Sequence, residues 1–170
     1  DALWELDVMR NIAEETGDHE LAVNAYSYRS KILYSKEDYD SVIIVDRICS
    51  DILMSEFKDT VSAAIELASS ISSFDDMGEY SKAKPLMEFY EKYSNNFNEQ
   101  GNILKGKENY YIDKGDMYSG LDSLDSAETY YRKAICASDW NNRTMGYYGL
   151  METFKAKGDK FGLIYRFNYE

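Results

Sequence analysis

The chain has 170 residues, of which 44% are hydrophobic, with a single proline and ten glycines; this is enough apolar material for a folded core and argues against disorder. Thirty-one acidic against nineteen basic residues give a formal net charge of -12, a field that repels phosphate backbones and anionic headgroups and so argues against nucleic-acid and membrane-surface binding. No apolar run approaches the roughly 20 residues a membrane-crossing helix needs, and no targeting segment is recognisable, so the compartment is not written in the residues.

Apolar positions recur at helical spacing, and Gly, Asp and short polar clusters interrupt them at intervals. Nine helices are predicted, over 1–16, 18–35, 38–54, 57–76, 79–94, 100–118, 123–138, 141–157 and 159–170. Asn-Gly hairpin signals are absent, which makes the chain all-α. The connections are so short that successive helices are expected to fold back as antiparallel pairs, and a row of such pairs makes a solenoid.

Taken along the chain, the second helix opens on Asp18, an expected N-cap, with His19 solvated in its first turn. His19 is the only histidine, so a histidine-rich zinc site is not expected, and its place in a solvated first turn beside the Asp18 cap argues against a Ser-His-Asp triad. Cys49 and Cys136 both sit in apolar helical patterns and are expected to be buried free thiols; a disulfide would have to join residues 87 positions apart (136 − 49). The run Phe-Asp-Asp-Met-Gly-Glu at 74–79 is superficially similar to the paired-aspartate magnesium motif of terpenoid synthases. Asp75 and Asp76, however, end a helix directly before a turn and lack a second acidic helix, so they read as solvated turn acids. Pro85 is tolerable only near a helix start, which places that start near Ser81. Residues 113–122 fail the calcium-loop pattern, Gly-Asn-Ile-Leu-Lys-Gly-Lys at 101–107 is not a phosphate loop, and Asn-Arg-Thr at 142–144 reads as an ordinary helix start. No cofactor or metal is implied, and the chain reads as a non-enzyme; the magnesium-dependent all-α enzyme using Asp75 and Asp76 is the remote alternative.

One phrase recurs: Glu-Asp-Tyr-Asp-Ser-Val at 37–42, Gly-Glu-Tyr-Ser-Lys-Ala at 78–83, Asp-Ser-Leu-Asp-Ser-Ala at 122–127 and Gly-Asp-Lys-Phe-Gly-Leu at 158–163, with spacings of 41, 44 and 36 residues. Each resembles the turn and second-helix start of a tetratricopeptide repeat. The third unit carries the fullest pattern, with Tyr111, Gly115 and Tyr118 on its first helix and Ala127, Tyr131 and Ala134 on its second. Val42 stands where the family has alanine, Asp46 where it has an aromatic residue and Lys114 where it has leucine. The resemblance implies a right-handed superhelical stack over 1–170: residues 1–17 as the second helix of a preceding repeat, then pairs 18–54, 57–94, 100–138 and 141–170, with more protein expected on both sides.

In this family the first helix of each pair lines a concave groove. Carried over, that rule selects Asn24, Ser27 and Lys31, then Ile65, Ala68 and Ser72, then Asn109, Ile112 and Asp116, then Met145, Tyr148 and Glu152 as candidate partner contacts. Only one of these is basic, so the carboxylate clamp of chaperone-binding members is not reproduced. The expectation is a protein- or peptide-binding module, with Leu-Asp-Ser-Ala-Glu-Thr-Tyr-Tyr-Arg-Lys-Ala at 124–134 resembling repeats of bacterial membrane-anchored regulators. That resemblance implies an extracytoplasmic, such as periplasmic, setting, with a cytoplasmic one as the alternative. A structural spacer that self-associates through the ends of the array is the second function class.

Overall fold

The structure, a computed structural model, describes residues 2–159. Its elements are Ala2–Thr16 (α1), His19–Ser35 (α2), Tyr39–Ser55 (α3), Thr60–Glu66 (α4), Ala68–Asp76 (α5), Tyr80–Tyr93 (α6), Asn109–Gly120 (α7), Leu124–Ala134 (α8) and Trp140–Ala156 (α9). The described residues contain no strand, only an isolated bridge between Phe97 and Ile103, and none of their helices is long and apolar enough to cross a membrane. The all-α expectation therefore holds, while the helix expected over 159–170 lies outside the described residues.

Two boundaries differ from expectation. The helix expected over 57–76 is broken at Leu67 into α4 and α5; on either side of the break, Glu66 accepts a hydrogen bond from Ser27 of α2 and Ser70 donates one to Asp46 of α3. The helix expected over 100–118 starts only at Asn109. Before it, Gly101 and Gly106 take left-handed φ of 74° and 86°, and Asn98 accepts backbone hydrogen bonds from Gln100 and Asn102, so 96–108 coils rather than spirals. α6 starts at Tyr80, one residue before the start near Ser81 expected from Pro85; Pro85 falls in its second turn, where at an exposed site the helix continues unbroken while the Ser81 carbonyl loses its helical donor.

One turn geometry recurs. Gly17, Glu37, Lys58, Gly78 and Asp122 all adopt positive φ between 56° and 71°. After each, the next residue's N–H returns to a carbonyl of the preceding helix: Asp18 to Ala13, Asp38 to Leu33, Asp59 to Leu53, Glu79 to Phe74 and Ser123 to Tyr118. This left-handed cap ends one helix, and at three of these turns the following aspartate starts the next, Asp18, Asp38 and Asp59 accepting from the N–H groups of Leu21, Ser41 and Ser62. Five positions beyond each left-handed residue a small side chain is buried: Ala22, Val42, Ala63, Ala83 and Ala127, of which all but Ala22 are fully inaccessible. A small residue at that point lets the incoming helix lie close to its neighbour.

The chain divides into two compact units, Asp1–Asn95 and Asn96–Glu170. In the first, α1 packs on α2, α2 on α3, α3 on both α4 and α5, and α5 on α6, with α2 also touching α5. Leu33, Val42 and Val45 form one cluster with Tyr26 and Tyr34; Cys49, Leu53 and Ala63 form another with Val23 and Tyr26. Each buried aliphatic side chain of this kind contributes on the order of 2 kcal/mol. Within this core Asp46 is only 1% exposed and accepts a 2.7 Å hydrogen bond from Ser70. Burial pushes its carboxyl up to about 6, against the pull of the Ser30 and Ser70 hydroxyls.

In the second unit α7 packs on α8, α8 on α9, and α7 on α9. Ala127, Tyr131, Leu150 and Phe154 form its core, with Tyr118 and Ile135 against them. The Tyr131 ring is 3% exposed and lies between two glycines: a Cβ on Gly115 would sit 2.5 Å from its Cε1, and one on Gly149 would sit 2.5 Å from its Cδ1. Gly146 meets the backbone nitrogen of Ile135 at 2.9 Å in the same sense. The Lys114 side chain is buried, donating to the Tyr110 hydroxyl at 3.0 Å with its ammonium over the Tyr110 and Tyr130 rings. A lysine at a leucine site is thus accommodated by aromatic faces and a hydrogen bond. Lys157 closes α9 onto α8 through Asp125 and Glu128 at 2.6 and 2.7 Å.

Candidate functional site

In the first unit the expected surface residues stand on helices that touch. Ser27 donates to Glu66 at 3.2 Å, tying α2 to α4, and α2 also packs on α5. Asn24 and Lys31 are exposed on α2 and Ile65 is 38% exposed on α4, whereas Ser27, Ala68 and Ser72 are half-buried. Tyr28, absent from the expected set, is the largest exposed apolar group on this face at 57%, with the Lys31 ammonium 5.2 Å from its ring centre. Its signal was available in the sequence, since positions 24, 28 and 31 share one helical face.

In the second unit α7 and α9 touch as well. On α9, Met145 and Tyr148 are 50% and 58% exposed, and Glu152 is exposed and accepts from Lys155. On α7, Asn109 is exposed and bonds the Asp113 carboxylate. Two expected contacts are corrected. Ile112 is 5% exposed and belongs to the core, and half-buried Asp116 accepts the Tyr131 hydroxyl hydrogen bond at 2.6 Å, so that it anchors the core aromatic. Both follow from an open face of α7 that is narrower than the i, i+3, i+7 spacing assumes, because α7 is covered by α8 and α9 together. Trp140 is 67% exposed at the start of α9.

The remaining chemistry-bearing residues are dispersed. His19 is half exposed, with Nε2 3.6 Å from Glu56. Asp76 accepts from the Tyr34 hydroxyl at 2.9 Å. Cys49 is buried, donates to the Val23 carbonyl, and burial pushes its thiol up to about 12. Cys136 is exposed, correcting the expectation of a buried thiol, because it falls just past the end of α8. Among the described residues no three His, Cys, Asp or Glu side chains converge as metal ligands. Charge is unevenly shared: residues 1–95 carry 20 acidic and 9 basic side chains, net -11, whereas 96–170 carry 11 and 10, net -1.

Neither the models of known protein families nor the curated proteins contain a match to this chain.

Proposed function

We propose that the chain is a tetratricopeptide-type helical-repeat module that binds a protein or peptide. The observation that carries this reading is the shared turn: five times a left-handed cap leads into a helix whose fourth residue, alanine or valine, is buried. That is the alternation of small and large residues by which helical repeats stack. The contacts α2 with α5 and α7 with α9 support it further, since in such stacks first helices of successive antiparallel pairs are neighbours. Asn24, Tyr28, Lys31 and Ile65 in one unit, and Asn109, Met145, Tyr148 and Glu152 in the other, form the binding faces. Their chemistry, exposed aromatic and aliphatic groups among single amides and few charges, suits an extended peptide or a helix with apolar anchors better than a strongly charged ligand. The setting is a regulatory scaffold, extracytoplasmic in keeping with the resemblance of 124–134.

Capture of a partner by the full chain, compared with an Asn109→Ala, Met145→Ala, Tyr148→Ala variant of unchanged helix content, tests the reading. Loss of capture supports it. Equal capture sends the partner to another face.

A second reading rests on α1. Trp4, Val8 and Ile12 are 66%, 37% and 46% exposed and lie four residues apart, making one apolar stripe. A second copy covering that stripe would make the module self-associating; sedimentation of Trp4→Ser, Ile12→Ser against the parent chain distinguishes a dimer held there from a monomer.

A further inference from the structure

The first unit contains a cavity of about 660 Å³ between α3, α5 and α6, separate from the residues assigned to partner binding. Its walls are apolar, formed chiefly by Met54, Leu67, Phe74, Leu86 and Phe89. Its size falls within the range of small-molecule sites, which run from roughly 300 to 1,000 Å³ and combine an apolar lining with a few polar points.

Two of those polar points are uncommitted. Ser50 lines the cavity, is 2% exposed, and its hydroxyl has no hydrogen-bond partner; a buried polar group left so is costly and calls for one. Ser70, the neighbouring hydroxyl, is already spent on Asp46. Arg47 stands three residues from Ser50 on α3, hence on the adjoining helical face, and forms no hydrogen bond or ion pair among the described residues.

Charge selects the ligand. The lining includes Arg47, Lys82 and Asp51, net +1, inside a unit of net -11. Lys82 is held by Glu79 at 2.6 Å, which leaves Arg47 as the available cation. Asp51 on the same helix face opposes a second negative charge, so a monoanion fits where a phosphate monoester does not.

We propose that this cavity binds a small amphipathic acid, a medium-chain carboxylate whose headgroup accepts hydrogen bonds from Arg47 and Ser50 and whose chain lies along Phe74, Leu86 and Phe89. The site is independent of the peptide-binding reading and shares none of its residues. Calorimetric titration of the full chain with decanoate below its micellar range tests it. Saturable binding at one site is expected, with affinity reduced about tenfold by Arg47→Gln and a few-fold by Ser50→Ala, as fits the loss of hydrogen bonds to a charged group. Uncharged 1-decanol should bind more weakly and be indifferent to Arg47→Gln. Leu86→Glu should abolish binding; because that change also burdens folding, the exposed Arg47→Gln substitution decides. Absence of saturable binding, or decanoate affinity unchanged in Arg47→Gln, overturns the proposal.

Discussion

Substituting Gly115 by alanine separates two opposed effects whose sizes the geometry fixes. In the interior of α7 the change removes a helix-propensity penalty of about 1 kcal/mol, and on an exposed helix it would stabilise. Here the new Cβ would lie 2.5, 2.7 and 2.9 Å from three carbons of the Tyr131 ring. That ring cannot swing aside: it is 3% exposed, faces Gly149 on another side, and its hydroxyl is held by Asp116 at 2.6 Å. Overpacking of this kind costs typically about 1–3 kcal/mol, and with approaches as close as 2.5 Å the upper half of that range applies, so the net outcome is a loss of about 1–2 kcal/mol. In a unit of this size that corresponds to a fall in melting temperature of roughly 4–15 °C. Thermal unfolding of Gly115→Ala, Tyr131→Leu and the double variant is the assay. Tyr131→Leu should be destabilising alone, yet Gly115→Ala should cost little in its background, since the clashing ring is gone. A neutral or stabilising Gly115→Ala in the parent chain, or strict additivity in the double variant, would refute the packing argument.

The buried Asp46 makes stability depend on pH. Its folded pKa, about 6, lies above the unfolded value, so the fold favours the protonated acid; the contribution is fully present below about pH 4 and is lost as pH rises through 6. Asp46→Asn should therefore gain on the parent chain between pH 4.5 and 7.5, by on the order of 3 kcal/mol at most, read by denaturant unfolding at both pH values. At the turns, Glu37→Gly should stabilise by about 1 kcal/mol and Gly78→Ala should destabilise by a similar amount, because both positions hold positive φ, at 60° and 71°; equal melting temperatures would contradict this. A neutral maleimide should label one thiol in the native chain, Cys136, and two in denaturant, with mass spectrometry locating the adduct; native labelling of Cys49 would contradict its burial.

Much of the helical order was legible because its signals are local. Capping aspartates at 18, 38, 59 and 139 and left-handed residues at 17, 37, 58 and 78 punctuate the chain. The same six-residue turn has two further copies, at 17–22 and 58–63, with His19 and Thr60 at the third position. Recognising them gives a period near 20 residues in the first unit, one helix rather than two. What the sequence could not reveal are the consequences of long-range packing: the break at Leu67, whose neighbours are drawn to α2 and α3, and the coil over 96–108. The departures at Asp46 and Lys114 were visible as departures; Tyr110, one turn before Lys114 on α7, was within reach of the sequence, but Ser70 and the Tyr130 ring are brought near only by the fold. Ile112 and Asp116 depart from the expected surface for a related reason, as a helix covered from two sides keeps a narrower open face.

Photo-crosslinking tests the proposed binding faces most directly. A benzophenone amino acid placed at Tyr28 on α2 or Tyr148 on α9, 57% and 58% exposed, should crosslink a captured partner; the same group at Ile44, 60% exposed on α3, should not. Crosslinks from Ile44 with none from Tyr28 and Tyr148 would contradict the account and move the partner to the opposite side of the helices.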